Sequence, residues 1–182
     1  ARGKHVFVDK PIATTIPDAK AMIAACRKAG VKLAIGASSR RLRGHRLCKK
    51  LVEDGLLGTV ALVETNYSKE SGLNYTPDNW QYFKDGSPGG PLMQVAIHQI
   101  DNLYYLFGPI KRVSAEFRKI MSKSENPDVC VLWLEFESGL LGTLGTSFIT
   151  PGVGRERHAY FINAYGDQGS FHHDRWTGTE VW

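Results

Sequence analysis

The stretch Val6-Phe7-Val8-Asp9-Lys10-Pro11-Ile12 begins with apolar residues and then carries an acid, a base and a proline. Three β-branched or aromatic residues in a row predict a short buried strand. Proline has no N–H to donate, so the strand must end before Pro11. Asp9 and Lys10 are therefore expected at the carboxyl end of a strand, where open α/β sheets bind their ligands. A surface turn with a solvated ion pair is the alternative interpretation.

A helix and a second strand follow this stretch. Residues 19–29 have a helix-forming composition, and Thr15 or Asp18 can cap the start of the helix. Residues 31–35 form a second short apolar run. A strand, a helix and a strand in this order predict a βαβ unit with two parallel strands. We therefore expect residues 1–37 to be the last part of a doubly wound α/β domain whose beginning lies outside the sequence.

The pattern changes at residue 38, after which strands dominate. The predicted elements are a helix over 41–53, a strand over 60–67, a helix over 92–107, and strands over 112–118, 129–137, 140–149, 158–165 and 170–176. Turns such as Ser138-Gly139 connect consecutive strands and predict an antiparallel sheet. Residues 38–182 are thus expected to form an α+β domain with its helices on one side of the sheet.

The composition limits the class of protein. No apolar run approaches the ~18 residues that cross a bilayer, so no membrane partner is expected. The three cysteines, Cys26, Cys48 and Cys130, are isolated and lack a CxxC spacing. This pattern favours a reducing cytoplasm and speaks against both a disulfide framework and a metal site.

Much of the net charge of +5 lies in one basic segment. Its members are Arg40, Arg41, Arg43, Arg46, Lys49 and Lys50. On a helix they would lie away from an apolar stripe, which consists of Leu47, Cys48, Leu51 and Val52. The pattern is typical of a solvated helix face. Binding of an anionic small molecule is an alternative, and so is binding of nucleic acid, although no recognition motif accompanies the charges.

The helix over 92–107 is the most informative segment. Its apolar residues predict a largely buried helix. A stripe with helical spacing consists of Met93, Ile97, Ile100, Tyr104 and Phe107, and Ala96, Leu103 and Leu106 widen the apolar surface. Its polar residues fall at steps of four, three and four and therefore stack on one face; they are Gln94, His98, Asp101 and Tyr105. Buried polar groups without partners cost about 1–3 kcal/mol each. This polar seam therefore indicates either a satisfied core network or the wall of a site.

Two segments together resemble the Gfo/Idh/MocA family of NAD(P)-dependent oxidoreductases. They are Val6-Phe-Val-Asp-Lys-Pro11 and Gly89-Gly-Pro-Leu-Met-Gln-Val-Ala-Ile-His-Gln-Ile-Asp101, and Gly55-Leu-Leu-Gly58 and Glu137-Ser-Gly139 extend the similarity. Family members carry Glu-Lys-Pro at the end of a Rossmann strand and Asp-x-Gly-x-His on a helix with a glycine-rich entry. The resemblance implies a dinucleotide-binding Rossmann domain, then an α/β domain with a large, mostly antiparallel open sheet. That sheet often forms the interface of dimers and tetramers.

The resemblance also implies roles for individual residues. Lys10 would be the active-site lysine, between the nicotinamide and the substrate hydroxyl, and His98 would be the catalytic histidine. Asp9, Lys10 and Pro11 would contact the cofactor, with Asp9 in place of the usual Glu and a peptide before Pro11 that is often cis. Oxidising an alcohol removes a hydride from carbon and a proton from oxygen, and an imidazole suits the second task.

Four further residues are candidates for substrate binding. Gln94 replaces the family's aspartate and can hydrogen-bond a hydroxyl, but it cannot raise the pKa of His98 by charge. Asp101 could orient the His98 ring instead, or act as a structural cap. Arg40 follows the second strand and could contact substrate or lie on the surface. Trp80 could pack on a sugar ring or anchor its own loop.

The sequence thus predicts a cytoplasmic oxidoreductase that uses NAD or NADP on a sugar, cyclitol or related polyol. A homodimer or homotetramer through the sheet is expected, with no nucleic-acid partner. The glycine-rich phosphate loop would precede the first residue, so no choice between NAD and NADP is predicted. The alternative is a non-catalytic sugar-sensing or assembly protein with the same fold. Gln94 and Asp9 favour that alternative, whereas the presence of both Lys10 and His98 argues against it.

Overall fold

A computed structural model describes residues 2–152 and 159–182. The chain divides into two compact units, Ala1–Ser38 and Ser39–Trp182. None of the helices in the described ranges is long and apolar enough to cross a bilayer.

The first unit is a βαβ unit, as predicted. Its elements are β1 (Val6–Val8), α1 (Ile16–Lys28) and β2 (Leu33–Ile35). The two strands are parallel, with Val6 opposite Leu33. The helix begins earlier than predicted because Thr15 is its N-cap: the Thr15 hydroxyl oxygen accepts a hydrogen bond from the backbone N–H of Asp18 at 3.2 Å. The strand begins later because the N–H of Val31 still donates to a carbonyl of α1.

The second unit combines two helices with a seven-stranded sheet. Its elements are α2 (Arg43–Glu53), β3 (Val60–Ser68), a π-helical turn (Leu92–Ala96) that continues into α3 (Ile97–Phe107), β4 (Ile110–Arg118), β5 (Val129–Phe136), β6 (Leu141–Ser147), β7 (Ala159–Gly166), β8 (Ser170–Asp174) and β9 (Gly178–Val181). Short 3₁₀ turns lie at Ser39–Arg41, Ser71–Asn74 and Trp80–Tyr82. His158, predicted as the first residue of a strand, lies outside the described residues.

The strand order β4-β5-β6-β3-β7-β8-β9 gives the mostly antiparallel sheet that was predicted, with one parallel pair. Consecutive strands on either side of β3 do pair antiparallel, but β3 and β6 are parallel, with Leu62 opposite Leu141. Between them the chain passes through α3 and returns by way of the edge strand β4. Turn residues report only local pairing, so they could not reveal this long-range neighbour.

Helices α2 and α3 pack on one face of the sheet, which we call the inner face. The largest core cluster includes Leu51, Leu103, Leu106, Phe136, Leu144, Ile162 and Phe171. Helix α2 buries His45, Cys48 and Leu51. Leu47 was predicted to belong to the buried apolar stripe, but it is 44% exposed and lies outside it. Side chains alternate along each strand, so every second residue points to the opposite, outer face.

The basic segment is partly neutralised within the second unit. Arg40 pairs with Asp101, while two i,i+4 pairs on α2 join Lys49 to Glu53 and Lys50 to Asp54. This pattern agrees with the interpretation of a solvated helix face, because such pairs form readily on exposed helices.

Candidate active site

Asp9, Lys10 and Pro11 follow β1 directly, as predicted. The Lys10–Pro11 peptide bond is cis, as the resemblance implied. One carboxylate oxygen of Asp9 accepts a hydrogen bond from the backbone N–H of Lys10 at 2.8 Å. A Cβ atom at Gly36, just beyond β2, would lie 2.9 Å from that oxygen. The side chain of Asp9 therefore folds back on the turn that carries Lys10, in space that only a glycine at residue 36 leaves open.

His98 lies on the first turn of α3 and is partly buried. Its ring centroid is 6.2 Å from the ring of Tyr67, near the end of β3. The ammonium of Lys69 lies 5.3 Å from the centroid of the same Tyr67 ring. Burial raises the pKa of Tyr67 and lowers the pKa of Lys69. The sequence analysis missed Tyr67 and Lys69, although an aromatic and a basic residue two positions apart at a strand end were a usable signal.

The predicted polar seam lies at the margin of the core. Gln94, His98, Asp101 and Tyr105 are all partly exposed. Gln94 belongs to the π-helical turn, which precedes the regular α-helix. Partial exposure suits groups that could meet a ligand, since such groups can exchange water for ligand hydrogen bonds.

Two of the predicted substrate-binding residues bind each other. The guanidinium of Arg40 donates two hydrogen bonds to the carboxylate of Asp101, one of them from Nε to Oδ2 at 2.9 Å. The guanidinium carbon of Arg40 also lies 5.2 Å from the centroid of the Tyr105 ring. The hydrogen bond to Asp101 raises the pKa of Arg40. The guanidinium of Arg40 thus balances the negative charge of Asp101, which lies one turn after His98.

Trp80 begins a 3₁₀ turn and is 56% exposed. The side-chain amide of Asn126 donates to the carbonyls of Gln81 at 3.3 Å and Phe83 at 3.2 Å, and so holds this loop in place. The large indole surface is therefore presented to solvent from an anchored loop, which agrees with a contact surface better than with core anchoring.

The buried face of α3 differs from the predicted one. Tyr104 is 54% exposed, whereas Gln99 and Asn102 are fully buried together with Leu103 and Leu106. Ala96, Leu103 and Leu106 are thus buried as predicted, but the centre of the buried face is rotated by one residue, about 100°, from the predicted stripe that contains Tyr104. The sequence could not fix this rotation, because apolar residues occur on both sides of the helix and the π-helical turn changes the phase.

A chain of hydrogen bonds joins the polar side chains on this buried face, although Oδ1 of Asn102 has no partner among the described residues. The amide nitrogen of Gln99 donates to the carbonyls of Asn66 at 3.0 Å and Phe161 at 3.2 Å. The amide nitrogen of Asn102 donates to the side-chain oxygen of Gln99 and to the hydroxyl oxygen of Tyr160, both at 3.0 Å. These bonds fix α3 to strands β3 and β7, and hence fix the helix that carries His98.

The chain of hydrogen bonds ends at a buried histidine of α2. The hydroxyl of Tyr160 lies 2.5 Å from Nε2 of His45, which is 1% exposed. In the arrangement where the Tyr160 hydroxyl accepts from Asn102 and donates to Nε2, the proton of His45 is on Nδ1, which has no hydrogen-bond partner among the described residues. Burial, followed by the neighbouring His173 and Arg175, lowers the pKa of His45 to about 3. His45 is therefore neutral in the folded protein at physiological pH.

The predicted catalytic pair is divided between the two units. Lys10 belongs to the first unit and His98 to the second. Their convergence on one reacting hydroxyl stays a prediction.

Comparison with known proteins identifies the family. The family model of the GFO/IDH/MocA C-terminal domain matches residues 45–172. The family model described as "Oxidoreductase family, NAD-binding Rossmann fold" matches residues 1–37. The chain is 31% identical to 2,7-anhydro-N-acetylneuraminate hydratase of Escherichia coli over 176 residues, covering 92% of this chain and 44% of the relative. It is 26% identical to 1,5-anhydro-D-fructose reductase of Ensifer adhaerens over 153 residues, covering 81% of this chain and 44% of the relative.

Solved structures share the fold. A candidate NADPH-dependent oxidoreductase from Desulfitobacterium hafniense superposes with a TM-score of 0.86 at 36% identity, covering 93% of this chain and 48% of that chain. The predicted fold, a Rossmann-type unit followed by a large and mostly antiparallel sheet, is confirmed. The chain spans about half the length of the relatives that it matches. From its motifs, its fold and these matches, the chain belongs to the Gfo/Idh/MocA family of oxidoreductases.

Proposed function

We propose that the complete protein is an NAD(P)-dependent oxidoreductase that transfers a hydride between nicotinamide and a hydroxyl of a sugar, cyclitol or related polyol. The observation that carries this proposal is the presence of both family motifs at the matching elements. Lys10 follows the first Rossmann-type strand of the chain, and His98 lies on the first turn of α3. The reductase of Ensifer adhaerens, named for a sugar-derived substrate, supports this class of reaction.

The end of β1 suits a nicotinamide cofactor. Ligands of parallel sheets bind beyond the carboxyl ends of the strands, and Asp9, Lys10 and Pro11 follow β1 at such an end. Gly36 leaves the room that the Asp9 carboxylate needs beside this turn. We assign these three residues to the nicotinamide half of NAD or NADP, which accepts or supplies the hydride when bound.

His98 and Lys10 would handle the proton and the charge on oxygen. The imidazole of His98 accepts the hydroxyl proton during oxidation and returns it during reduction. The ammonium of Lys10 stabilises the negative charge that develops on the same oxygen. Gln94 offers a neutral amide for a neighbouring hydroxyl. Arg40 holds Asp101 by hydrogen bonds, and so fixes the face of α3 at the turn that follows His98.

Substrate contact from the loop before the π-helical turn is also part of the proposal. The exposed indole of Trp80 presents a flat apolar surface that could pack on a sugar ring. The loop is held by Asn126, so the ring would be positioned before substrate arrives.

We further propose a homodimer or homotetramer in the cytoplasm. The outer face of the sheet carries a group of large apolar residues; they are Leu62, Val131, Trp133, Leu141 and Tyr165, each 37–56% exposed. Leu62 is directly opposite both Leu141 and Tyr165, so three of them form a row across β6, β3 and β7. A flat apolar face of this kind is suited to a second copy of the chain around a two-fold axis. The three cysteines are free, which suits a reducing compartment.

The second candidate function is a non-catalytic sugar-sensing or assembly protein. It is favoured by Gln94, which gives His98 no neighbouring negative charge at the family's aspartate position. The Escherichia coli relative is named as a hydratase, so a third outcome is tested as well. In that outcome water is added to the substrate, with no net oxidation or reduction.

The experiment titrates the complete protein with NADH and NADPH, and then screens sugars and polyols for formation of reduced cofactor and for hydration products. In His98→Ala, kcat should fall by roughly 10²–10⁴-fold with little change in cofactor affinity. Lys10→Ala should be at least as damaging, and the double variant should lose little more, because the two groups act on one oxygen. The control is His172→Ala, which removes a histidine that bonds to Asn163 in the sheet. Full activity of His98→Ala contradicts the proposal, and cofactor binding without turnover favours the sensor.

A further inference from the structure

We propose that Lys69 binds an anionic group of the substrate, so that the site beside His98 takes a sugar or polyol that carries a carboxylate or phosphate. This inference rests on the proposed function and names the class of its substrate. It is argued from the position of Lys69, from the absence of an acidic partner among the described residues and from the charges around it.

The position of Lys69 is fixed next to the candidate catalytic histidine. Its N–H donates to the carbonyl of Ser147 at 2.8 Å, and its own carbonyl accepts from the N–H of Thr150 at 3.0 Å. The backbone is therefore held on both sides. The ammonium of Lys69 and the ring of His98 both lie against the Tyr67 ring, at 5.3 Å and 6.2 Å from its centroid. A ligand that contacts His98 and the Tyr67 ring could therefore also reach the ammonium of Lys69.

Lys69 is partly buried, and within residues 2–152 and 159–182 it forms no ion pair. Lys49, Lys50 and Lys111 of the second unit each contact a carboxylate, whereas Lys84, Lys119 and Lys123 form no ion pair with the described residues but are exposed. The contact with the Tyr67 ring is a weak replacement for water, because cation–π attraction offsets only part of the lost hydration. Among the lysines of the second unit that the structure describes, Lys69 is thus the one that combines partial burial with the absence of a carboxylate partner from the described residues.

A second cation strengthens the positive potential. Arg175, in the turn between β8 and β9, makes no ion pair with the described residues and stacks on Trp176. After burial, which lowers the pKa of Lys69, the charge of Arg175 is the second cause of that lowering. The same charge lowers the pKa of Tyr67, against the larger opposite effect of burial. A bound anion would act in the opposite direction, because it favours the charged form of Lys69.

The chemistry of the ligand follows from these charges. The hydroxyls of a neutral polyol can hydrogen-bond to an ammonium but cannot neutralise it. A carboxylate or phosphate neutralises the ammonium and forms the short, strong N⁺–H···O⁻ hydrogen bonds of an ion pair. A substrate with one such group would bind Lys69 at that group and present a hydroxyl to His98.

The test measures binding by calorimetry to the complete protein, with and without NADH, so that the result does not depend on turnover. The probes are matched pairs: D-glucuronate and D-galacturonate against D-glucose and D-galactose, and glucose 6-phosphate and myo-inositol 1-phosphate against glucose and myo-inositol. At least one acid should bind about tenfold more tightly than its neutral partner. The carboxylate and phosphate pairs show which anion is preferred.

Three variants examine the residue. Lys69→Met should bring the acid-to-neutral ratio close to one, mainly by weakening the binding of the acids, whereas Lys69→Arg should keep the preference. Lys50→Met, which removes an exposed lysine of α2, is the matched control and should behave as wild type. Unfolding curves of each variant establish that it is folded.

Several results would overturn the inference. They are equal affinity for acids and neutral sugars, a preference that survives in Lys69→Met, or no measurable binding by any probe. Turnover of neutral polyols that depends on His98 but shows no acid preference leaves the proposed function intact and rejects this inference. Binding of acids that depends on Lys69, without any turnover, supports this inference and rejects the oxidoreductase.

Discussion

The buried hydrogen-bond chain beneath α3 makes a sharp prediction for Tyr160→Phe. The substitution removes only the hydroxyl of a residue that is 2% exposed. That hydroxyl contacts Nε2 of His45 at 2.5 Å and the amide of Asn102 at 3.0 Å. Without it, a buried acceptor and a buried N–H lose their partners. Each unpaired group costs about 1–3 kcal/mol, so for two groups we expect the free energy of unfolding to fall by about 2–6 kcal/mol.

The matched control is the same substitution on the same strand. The hydroxyl of Tyr165 bonds to Glu64 at 2.7 Å, but Tyr165 is 39% exposed, so water can replace the lost bond. Tyr165→Phe should therefore change the free energy of unfolding by less than about 0.5 kcal/mol.

Urea unfolding followed by tryptophan fluorescence measures both values at neutral pH. Because the chain of hydrogen bonds holds α3, Tyr160→Phe should also lower turnover by the complete protein, whereas Tyr165→Phe should not. If the two variants are equally stable, the hydroxyl of Tyr160 does not satisfy His45 and Asn102, and the proposed proton arrangement is wrong.

Three further predictions concern pH, the outer face and the ion pair. His45 is neutral when folded and takes up a proton below about pH 6.5 when unfolded. It should therefore make stability fall as the pH drops from 6.5 towards 3, by up to about 1.4 kcal/mol per pH unit; His45→Gln should flatten this slope in urea unfolding, and an unchanged slope contradicts the reasoning. Trp133→Glu should shift the complete protein towards monomer in light scattering, whereas Val113→Glu, on the inner side of the edge strand, should not; a wild-type monomer at high concentration contradicts the interface. Arg40→Met should lower the free energy of unfolding by about 0.5–1 kcal/mol, because the pair with Asp101 is partly exposed; no loss of stability would show that the pair is solvated.

Local pattern was sufficient for the first unit and for the family. The strand that ends before Pro11, the cap at Thr15 and the second apolar run are signals that act over a few residues, and each describes a structure that forms over the same few residues. The two motifs around Lys10 and His98 likewise depend on neighbours in sequence. For that reason they identified the family and the candidate catalytic residues before any fold was known.

The candidate site was only partly readable from the sequence. Gln94, His98 and Asp101 were found because helical spacing places them on one face. The pairing of Asp101 with Arg40 joins residues 61 positions apart, so no local pattern contains it. Lys69 was missed for the same reason, since its importance comes from the Tyr67 ring that it shares with His98.

The sequence by itself determined the βαβ unit, the existence of the helices and strands, and the residue types available for chemistry. Only the tertiary structure decided that β3 lies between β6 and β7, and that α3 buries Gln99 and Asn102 rather than Tyr104. The physical reason is the range of the forces involved. Capping, turns and periodicity act between near neighbours in the sequence. Strand order and helix rotation depend instead on which distant surfaces come together, because that contact buries apolar area and pairs buried polar groups.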